Sequence, residues 1–372
     1  MLVVPLVTAA IICGISSIGA GGSLGRMGAR AFGFYFMSTL FAVLAGLFVV
    51  NLIAPGMVDG VPAGERMALP AAADVAPQLS QVANHNMSDI VKVFLRMVPT
   101  NIIAAAAKGD MLGMIFFGLL FGFFMTRIEK RYREVLQHFW QAVLDVMMAM
   151  TMFVMKFAPI GVFALVAQTV AATGLQAFEQ LAWFFVTVVA GLAIHFGVTL
   201  PLAVKLLGRA SPIKHYRAMM PALLTAFSTA SSAATLPLSI ECLERNAKVS
   251  ARVTGFVLPV GTAVNMDGTA LYECVAAMFI AQAYGLNLDF ATQFTIVTLA
   301  LLTSIGVAGI PSASLVAITV ILGSIGLPLE GIGLLLVTDR VLDMLRTTVN
   351  VFSDSCCAVI VARSEGESEV LT

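Results

Sequence analysis

Long apolar segments occupy most of this 372-residue chain and constrain its fold more than any other feature. They cover 1–18, 32–53, 90–125, 139–172, 181–207 and nearly all of 216–362. Charged residues make up 11% of the chain, whereas soluble domains carry about 25%. A water-soluble core cannot bury so much apolar surface, and a spanning helix needs about 20 apolar residues. The pattern therefore predicts an all-α membrane protein that crosses the bilayer many times, and the expected location is the cell (plasma or inner) membrane.

The breaks between these segments alternate in charge. Basic residues cluster at 26–30, 127–133 and 205–217, whereas 55–89 is poor in them. Positive charge marks the cytoplasmic side of a membrane protein, so 55–89 is expected to be an external loop. Basic and acidic residues number 21 each, which argues against a nucleic-acid partner. The five cysteines lack a CxxC spacing, and no cofactor is expected.

Two segments in the last third mix apolar residues with small polar ones, AFSTASSAATLP at 226–237 and SIGVAGIPSAS at 304–314. Irregular backbone at membrane depth is tolerated only where protein or a water-filled cavity surrounds it. Both segments are therefore predicted to be tips of re-entrant helical hairpins. Asp267 follows the first tip, and Asp343 the second, at nearly equal spacing. Repeated broken helices of this kind build the substrate sites of secondary transporters.

A polar stripe follows one face of the last predicted helix. Its members lie three or four residues apart: Asp339, Asp343, Arg346, Asn350 and Asp354. Charges inside a membrane are costly and usually functional. Together with Asp267 and Glu273, the embedded acids outnumber the bases, so they must be protonated or paired with cations. Oxygen ligands favour hard cations, here sodium and protons. A salt-bridged stripe that only joins helices is the alternative.

Arg346 and Asp343 form the most specific pair in this stripe. The guanidinium group offers a planar fork of donors to a carboxylate, and Asp343 can bind an ammonium group one turn earlier. Together they suit an acidic amino acid. The alternative is that the acids of its own helix already satisfy Arg346.

A second polar interruption, NMDGT at 265–269, lies in the preceding apolar segment. Gly268 and the Asn/Asp pair favour local unwinding, so Asn265, Asp267 and freed carbonyls could bind a cation; a simple turn is the alternative. Glu273 lies in an apolar setting that favours the protonated carboxyl group. It is either a transported-proton site or a protonated acid without a transport role.

These motifs resemble those of the glutamate/aspartate transporter family, the dicarboxylate/amino acid:cation symporters. The matching segments are FSTASSAATLP (227–237), VNMDGTALYE (264–273), SIGVAGIPSAS (304–314) and DRVLDMLRTTVNVFSD (339–354). Weaker likeness at 1–7, 98–101 and 157–167 extends it over nearly the whole chain. The resemblance implies an inverted-repeat fold with two re-entrant hairpins. It also implies a homotrimer in the lipid bilayer that imports aspartate or glutamate with sodium and a proton by an elevator movement.

The resemblance also implies a division of the chain. Residues 1–31 match the family's second span in the scaffold, so the first scaffold helix is expected to be absent. Residues 32–54 match the third span, 55–89 the external loop and 90–175 further scaffold helices. Residues 176–372 form the rest of the transport domain. They include hairpin 1 (216–247), a broken helix (249–284), hairpin 2 (292–326) and the last helix (328–363), with gating tips at 229–237 and 304–314.

Roles for individual residues follow from the same resemblance. Arg346 is expected to bind the substrate side-chain carboxylate and Asp343 its amino group. The pocket is completed by Thr347, Asn350, Thr269, Ser232 and the backbone near Gly309 and Ile310. The first sodium site uses Asn350, Asp354 and the backbone near Gly261 and Asn265. The second uses the backbone of Ser304, Ile305 and Val307, and the third uses Asp267, Asn265, Tyr35, Ser38 and Thr39. Glu273 is the expected proton site.

The chain departs from the family pattern at four positions. Ala230 and Met344 stand where members carry an arginine at one or the other place, which is expected to alter affinity or coupling to potassium. Arg340 replaces an apolar residue, and Ser353 replaces a glycine.

Other functions are weighed against this one. A C4-dicarboxylate:cation symporter is the alternative, although Asp343 would repel a substrate that lacks an amine. The embedded acids disfavour an anion channel. An intramembrane hydrolase using Ser231 or Ser232 is disfavoured, because no histidine has an evident partner spacing (His85, His138, His195, His215). An inactive fragment is the last alternative.

Overall fold

The computed structural model describes residues 3–16, 22–58, 60–64, 98–108, 111–157, 160, 163–164, 167, 171, 176–286, 288–304, 313–329 and 331–371. These residues are mostly helical. The first helices are α1 (Val3–Ser16), α2 (Gly22–Ile53), α3 (Ile102–Lys108), α4 (Met111–Met125), α5 (Lys130–Met155), α6 (Gln176–Ile194) and α7 (Leu200–Leu206). The later ones are α8 (Pro212–Thr229), α9 (Ser232–Glu241), α10 (Ala251–Val264), α11 (Asp267–Ala283), α12 (Phe290–Ser304), α13 (Ala313–Ile325) and α14 (Ile332–Ser364).

Two short strands follow α2. β1 (Met57–Val58) pairs antiparallel with β2 (Val61–Pro62), and Gly60 takes φ +80° in the turn between them. Because that φ is strained for a residue with a side chain, the glycine permits the tight connection. The hairpin lies at the start of the predicted external loop 55–89, and 65–89 lies outside the described residues.

Within the described residues, three helices are long and apolar enough to cross a membrane: Arg26–Ile53, Glu179–Leu206 and Leu335–Ser364. The second of them is continuous through α6, a π-helical segment (His195–Thr199) and α7. Pro201 explains that segment, because proline lacks an N–H and its ring collides with the carbonyl group four residues earlier. The wider turn accommodates the proline and sets the position of His195 in the bundle.

The helices pack in two groups. α1 packs against α4 and α5, while most of the others surround α11 and α14. α11 is enclosed by α2, α6, α12, α13 and α14, and its residues are buried along almost its whole length. A helix that is apolar on all sides belongs in an interior. The polar residues Asp267, Thr269 and Glu273 of α11 are therefore held away from water and lipid alike.

One helix boundary differs clearly from the expected ones. The boundary at 31/32 falls inside α2, which begins at Gly22. Residues 22–31 are small and basic, so an apolar pattern misses them, yet Met27 and Ala31 are buried and continue the helix. The segments expected at 216–247, 249–284, 292–326 and 328–363 begin and end within about one helical turn of the observed helices.

The two expected tips have different outcomes. α8 ends at Thr229, and the next residue, Ala230, caps it in the left-handed conformation with φ 49°. The Ser231 side chain then accepts a hydrogen bond from Ala234 N at the start of α9. This break lies within 229–237. At the second tip, 305–312 lies outside the described residues, between α12 and α13. In the preceding region 90–175, α3, α4 and α5 are described, while most of 158–175 is not.

The basic breaks near 30 and 208 lie at one end of the bundle. Arg30 forms an ion pair of 2.5 Å with Glu365 and donates to Ser364 O at 2.9 Å, just beyond the end of α14. Gly208 follows α7 and approaches Ile360 in the last turns of the same helix. Two of the three basic breaks therefore share one face, as the charge pattern predicts.

Candidate functional site

Arg346 lies at the centre of the polar stripe on α14. Its side chain is 1% exposed, and its Nη2 donates to Asp339 Oδ1 and to Asp343 Oδ1, both at 3.0 Å. Nη1 donates to Ser314 Oγ on α13 at 2.8 Å. The guanidinium carbon lies 3.9 Å from the centre of the Tyr272 ring on α11. Two carboxylates, a hydroxyl group and an aromatic face therefore hold this cation in the interior.

These contacts bear on the alternative that the acids of its own helix satisfy Arg346. Asp339 and Asp343 do pair with it, but a guanidinium group has five N–H donors. Among the described residues, Arg346 Nε has no hydrogen-bond partner. Arg346 is therefore paired within the protein and can still donate to one more acceptor.

Asn350 joins α14 to the break before α11. Gly268 N donates to Asn350 Oδ1 at 2.8 Å, and Asn350 Nδ2 lies 3.2 Å from Thr269 Oγ1. A Cβ on Gly268 would lie only 2.8 Å from Arg346 O. A residue without a side chain is therefore required where the two helices touch. The contact brings the start of α11 beside the arginine stripe.

Asp267 lies at the first position of α11 and is fully buried. Its Oδ1 accepts from Thr39 Oγ1 at 2.6 Å; its Oδ2 accepts from Ser38 Oγ and, at 2.6 Å, from Ser353 Oγ. His195 Nε2 lies 3.0 Å from the same Oδ2. The carboxylate is thus surrounded by groups from α2, α14 and the π-helical segment. We call Asp267, Ser38, Thr39 and Asn265 the Asp267 centre, which Ser353 contacts from α14.

Asp354 forms a second buried centre next to the first. Asn265 Nδ2 donates to Asp354 Oδ1 at 2.9 Å, and Gly261 lies so close that a Cβ there would lie 2.7 Å from Asp354 Cγ. Tyr35 donates its hydroxyl hydrogen to Val257 O at 2.8 Å, and its oxygen would lie 3.0 Å from the same Cβ. We call Asp354, Asn265, Gly261 and Tyr35 the Asp354 centre.

The donor sets of both centres suit sodium. Carboxylate, hydroxyl, amide and carbonyl oxygens are the ligands that hard cations prefer. Asn265 Oδ1 is buried and, in the part of the chain that the structure describes, makes no hydrogen bond. An acceptor oxygen that receives no hydrogen bond has its lone pairs available to bind a cation. Over those same residues, no cluster of three or more His, Cys, Asp or Glu side chains suits a transition metal.

Glu273 lies two helical turns beyond Asp267, deep in α11. It is fully buried, and Thr303 Oγ1 donates to its Oε2 at 2.7 Å. Its Oε1 has no hydrogen-bond partner among the described residues. One satisfied and one unsatisfied oxygen in an apolar interior are the environment expected for a carboxyl group that takes up a proton.

The remaining candidates lie around these groups. Ser232 is buried at the first position of α9, Thr347 is buried beside Arg346 on α14, and Ser304 ends α12 with its hydroxyl bonded to Leu301 O at 3.0 Å. Four backbone candidates of the second hairpin lie outside the described residues: Ile305, Val307, Gly309 and Ile310.

Some residues of the site have no predicted role. Asp339 and Ser314 bond to Arg346, Tyr272 stacks on it, and Thr303 holds Glu273. The contact of Asp339 could have been predicted from the sequence, because Asp339 lies on the polar stripe two turns before Arg346. Two of the histidines have buried polar partners, although neither contacts Ser231 or Ser232. His195 contacts Asp267, and His215 Nε2 lies 2.9 Å from Ser355 Oγ. Spacing in the sequence does not reveal these contacts because helix packing creates them.

Buried carboxylates, hydroxyl groups and one arginine inside apolar helices are the features of a membrane transport protein. Comparison with known families agrees with this class. The chain belongs to the Sodium:dicarboxylate symporter family, whose model matches residues 1–364. The predicted family membership is thereby confirmed, and the chain is a transporter rather than an enzyme.

Similar proteins cover nearly the whole chain. It is 35% identical over 368 residues to the proton/sodium-glutamate symport protein of Geobacillus stearothermophilus, covering 99% of this chain and 85% of that protein. It is 36% identical to the proton/glutamate-aspartate symporter of Escherichia coli K12, with 98% and 82% covered. It is also 35% identical to human excitatory amino acid transporter 2, with 97% and 70% covered.

Proposed function

We propose that this protein is a secondary active symporter that imports aspartate or glutamate together with sodium and a proton. The observation that carries the proposal is the buried group of Arg346 and Asp343 on one face of α14, beside the Asp267 and Asp354 centres. The named relatives, which include glutamate and glutamate-aspartate symporters, support the same substrate class.

The substrate chemistry follows from this face. The unused donors of Arg346 bind the side-chain carboxylate of the substrate, and Tyr272 holds the guanidinium plane from the other side. Asp343 binds the ammonium group of the substrate. The opposite charges of the substrate thus pair with Arg346 and Asp343, which pair with each other when no substrate is bound. Thr347, Asn350, Thr269, Ser232 and the backbone near Gly309 and Ile310 complete the pocket.

The ions bind beside the substrate. Sodium at the Asp354 centre uses Asn350, Asp354 and backbone oxygens near Gly261 and Asn265. A second sodium uses the backbone of Ser304, Ile305 and Val307, and a third uses Asp267, Asn265, Tyr35, Ser38 and Thr39. Because Asn350 also contacts the residues that begin α11, it links the substrate pocket with the cation sites. Glu273 carries the proton.

The larger architecture is proposed on the same basis. Residues 1–31 and 90–175 act as scaffold, and 32–54 with 176–372 act as a transport domain that moves like an elevator. The helix pairs α8–α9 and α12–α13 are the two re-entrant hairpins of an inverted repeat. Three copies assemble as a homotrimer in a plasma or inner membrane.

Uptake of labelled aspartate into proteoliposomes tests the substrate claim. Excess unlabelled glutamate should compete for uptake, whereas succinate, which lacks an amine, should not. Arg346→Cys should abolish aspartate uptake and leave neutral amino acids as the better substrates. Arg340→Cys is the matched control, because Arg340 is exposed on the same helix. Retained aspartate uptake in Arg346→Cys would refute the role of this arginine. Strong competition by succinate would favour a C4-dicarboxylate:cation symporter instead.

A further inference from the structure

Ser353 lies between the two buried carboxylates of the cation sites. It is fully buried and immediately precedes Asp354 on α14. Its Oγ donates to Asp267 Oδ2 at 2.6 Å and accepts from Asn265 Nδ2 at 3.0 Å. Asn265 Nδ2 also donates to Asp354 Oδ1 at 2.9 Å. A continuous series of hydrogen bonds therefore connects Asp267 with Asp354 through one hydroxyl group and one amide.

The hydroxyl group has capacity beyond these two bonds. A serine oxygen carries one hydrogen and two lone pairs, and at Ser353 the hydrogen and one lone pair are engaged. Its Oγ also lies 3.2 Å from Ser38 Oγ, so hydroxyl oxygens from α2 and α14 face the same carboxylate. Because the hydrogens of both hydroxyl groups go to Asp267 Oδ2, neither is donated to the other, and the second lone pair of Ser353 can face a cation bound to Asp267.

The neighbouring amide supplies a second, independent observation. Asn265 Oδ1 is buried and makes no hydrogen bond within the described residues. A cation on Asp267 Oδ2 repels the hydroxyl hydrogen that Ser353 donates there. Asn265 Nδ2 lies 3.0 Å from Ser353 Oγ, and a half-turn of the amide group would present its unused Oδ1 to that hydroxyl hydrogen. The hydroxyl group can then turn its hydrogen away and direct a lone pair at the cation.

Resting on the proposed sodium coupling, we propose that Ser353 Oγ is an additional sodium ligand of the Asp267 centre. It donates a hydrogen bond to the carboxylate when sodium is absent and becomes an oxygen ligand when sodium binds. Glycine, which the family resemblance implies at this position, can do neither. Ser353 thus sets the sodium affinity of this particular chain.

The test measures sodium binding without transport. Purified protein is titrated with sodium chloride in the absence of substrate, with choline chloride keeping the ionic strength constant, and the thermal unfolding midpoint is recorded. Ser353→Ala and Ser353→Gly both remove the hydroxyl group, and glycine is the residue that the family pattern implies here. Ser355→Ala is the matched control, because Ser355 is equally buried on α14 but bonds to Phe352 O and His215.

We expect the sodium concentration for half-maximal stabilisation to rise about tenfold in both Ser353 variants, or about 1.4 kcal/mol. Ser355→Ala should keep the wild-type sodium dependence even if its midpoint without sodium falls. A merely structural role would lower the midpoint without moving the sodium dependence. Both Ser353 variants within twofold of wild type would overturn the inference. If sodium fails to stabilise the wild type, the proposed sodium coupling falls and this inference with it.

Discussion

Gly261→Ala tests the Asp354 centre with the smallest possible change. A Cβ at this position would lie 2.7 Å from Asp354 Cγ and 3.0 Å from the Tyr35 hydroxyl oxygen, whereas ordinary contacts begin at 3.4 Å. It would also collide with Asp354 Oδ1. The carboxyl group must therefore move by several tenths of an ångström, away from a position that Asn265 holds at 2.9 Å.

The cost of this overlap gives the expected size of the effect. Adding one methyl group to a packed interior costs about 1–3 kcal/mol. In the sodium-free protein the carboxyl group can move aside, but sodium binding requires it in place, so most of the cost falls on the bound state. A coupling of about 1–3 kcal/mol corresponds to a change of about 5–150-fold in affinity. We expect the sodium concentration for half-maximal aspartate uptake to rise by that factor.

The assay is sodium-dependent aspartate uptake into proteoliposomes at a fixed low aspartate concentration. Gly255→Ala is the matched control, because it lies on the same helix α10 and nothing approaches its added Cβ within 4 Å. The control should retain the wild-type sodium dependence. If Gly261→Ala behaves like the control, Asp354 does not bind sodium from the position described, and the first sodium site is wrong.

Three further predictions concern the proton, the substrate and sodium. Glu273→Gln keeps the side-chain shape but cannot release a proton, so uptake should lose its dependence on pH. A pH-sensitive dye inside the vesicles should no longer report acidification, and continued acidification would exclude Glu273. Tyr272→Leu removes the ring under Arg346. A desolvated cation–π contact contributes about 2 kcal/mol, and because the contact also exists without substrate, the aspartate KM should rise by at most roughly thirtyfold, while Tyr272→Phe stays close to wild type. Equal effects of the two variants would assign the role to the hydroxyl group. Asp267→Asn removes the charged ligand of the Asp267 centre, so the sodium concentration for half-maximal thermal stabilisation should rise. An unchanged sodium titration would refute cation binding at that centre.

The sequence predicts the α14 stripe well because one helix places its members on one face. Asp343 and Arg346 are bonded as their spacing indicates, and Asp339 extends the same row. The break at Asn265 and Met266 is equally local, since polar side chains and glycine interrupt an apolar run there. Features that depend on one helix or one turn are therefore accessible from sequence alone.

Contacts between helices are much less accessible. The neighbours of Asp267 come from α2, α14 and a π-helical segment whose register depends on Pro201. Nothing in the spacing of His195 or Thr303 identifies their carboxylate partners, because packing alone brings them together. The family resemblance supplied Ser38 and Thr39, but it could not supply Ser353, where the chain departs from the pattern.

In the proposed function, gradients of sodium and protons drive acidic amino acid uptake. The most direct measurement is labelled aspartate accumulation in proteoliposomes with the gradients of sodium, pH and potassium imposed one at a time at zero membrane potential. An inward sodium gradient alone should drive aspartate accumulation above the external concentration, and an inward proton gradient should increase that accumulation. Equilibration of aspartate without accumulation under both gradients would contradict ion-coupled uptake.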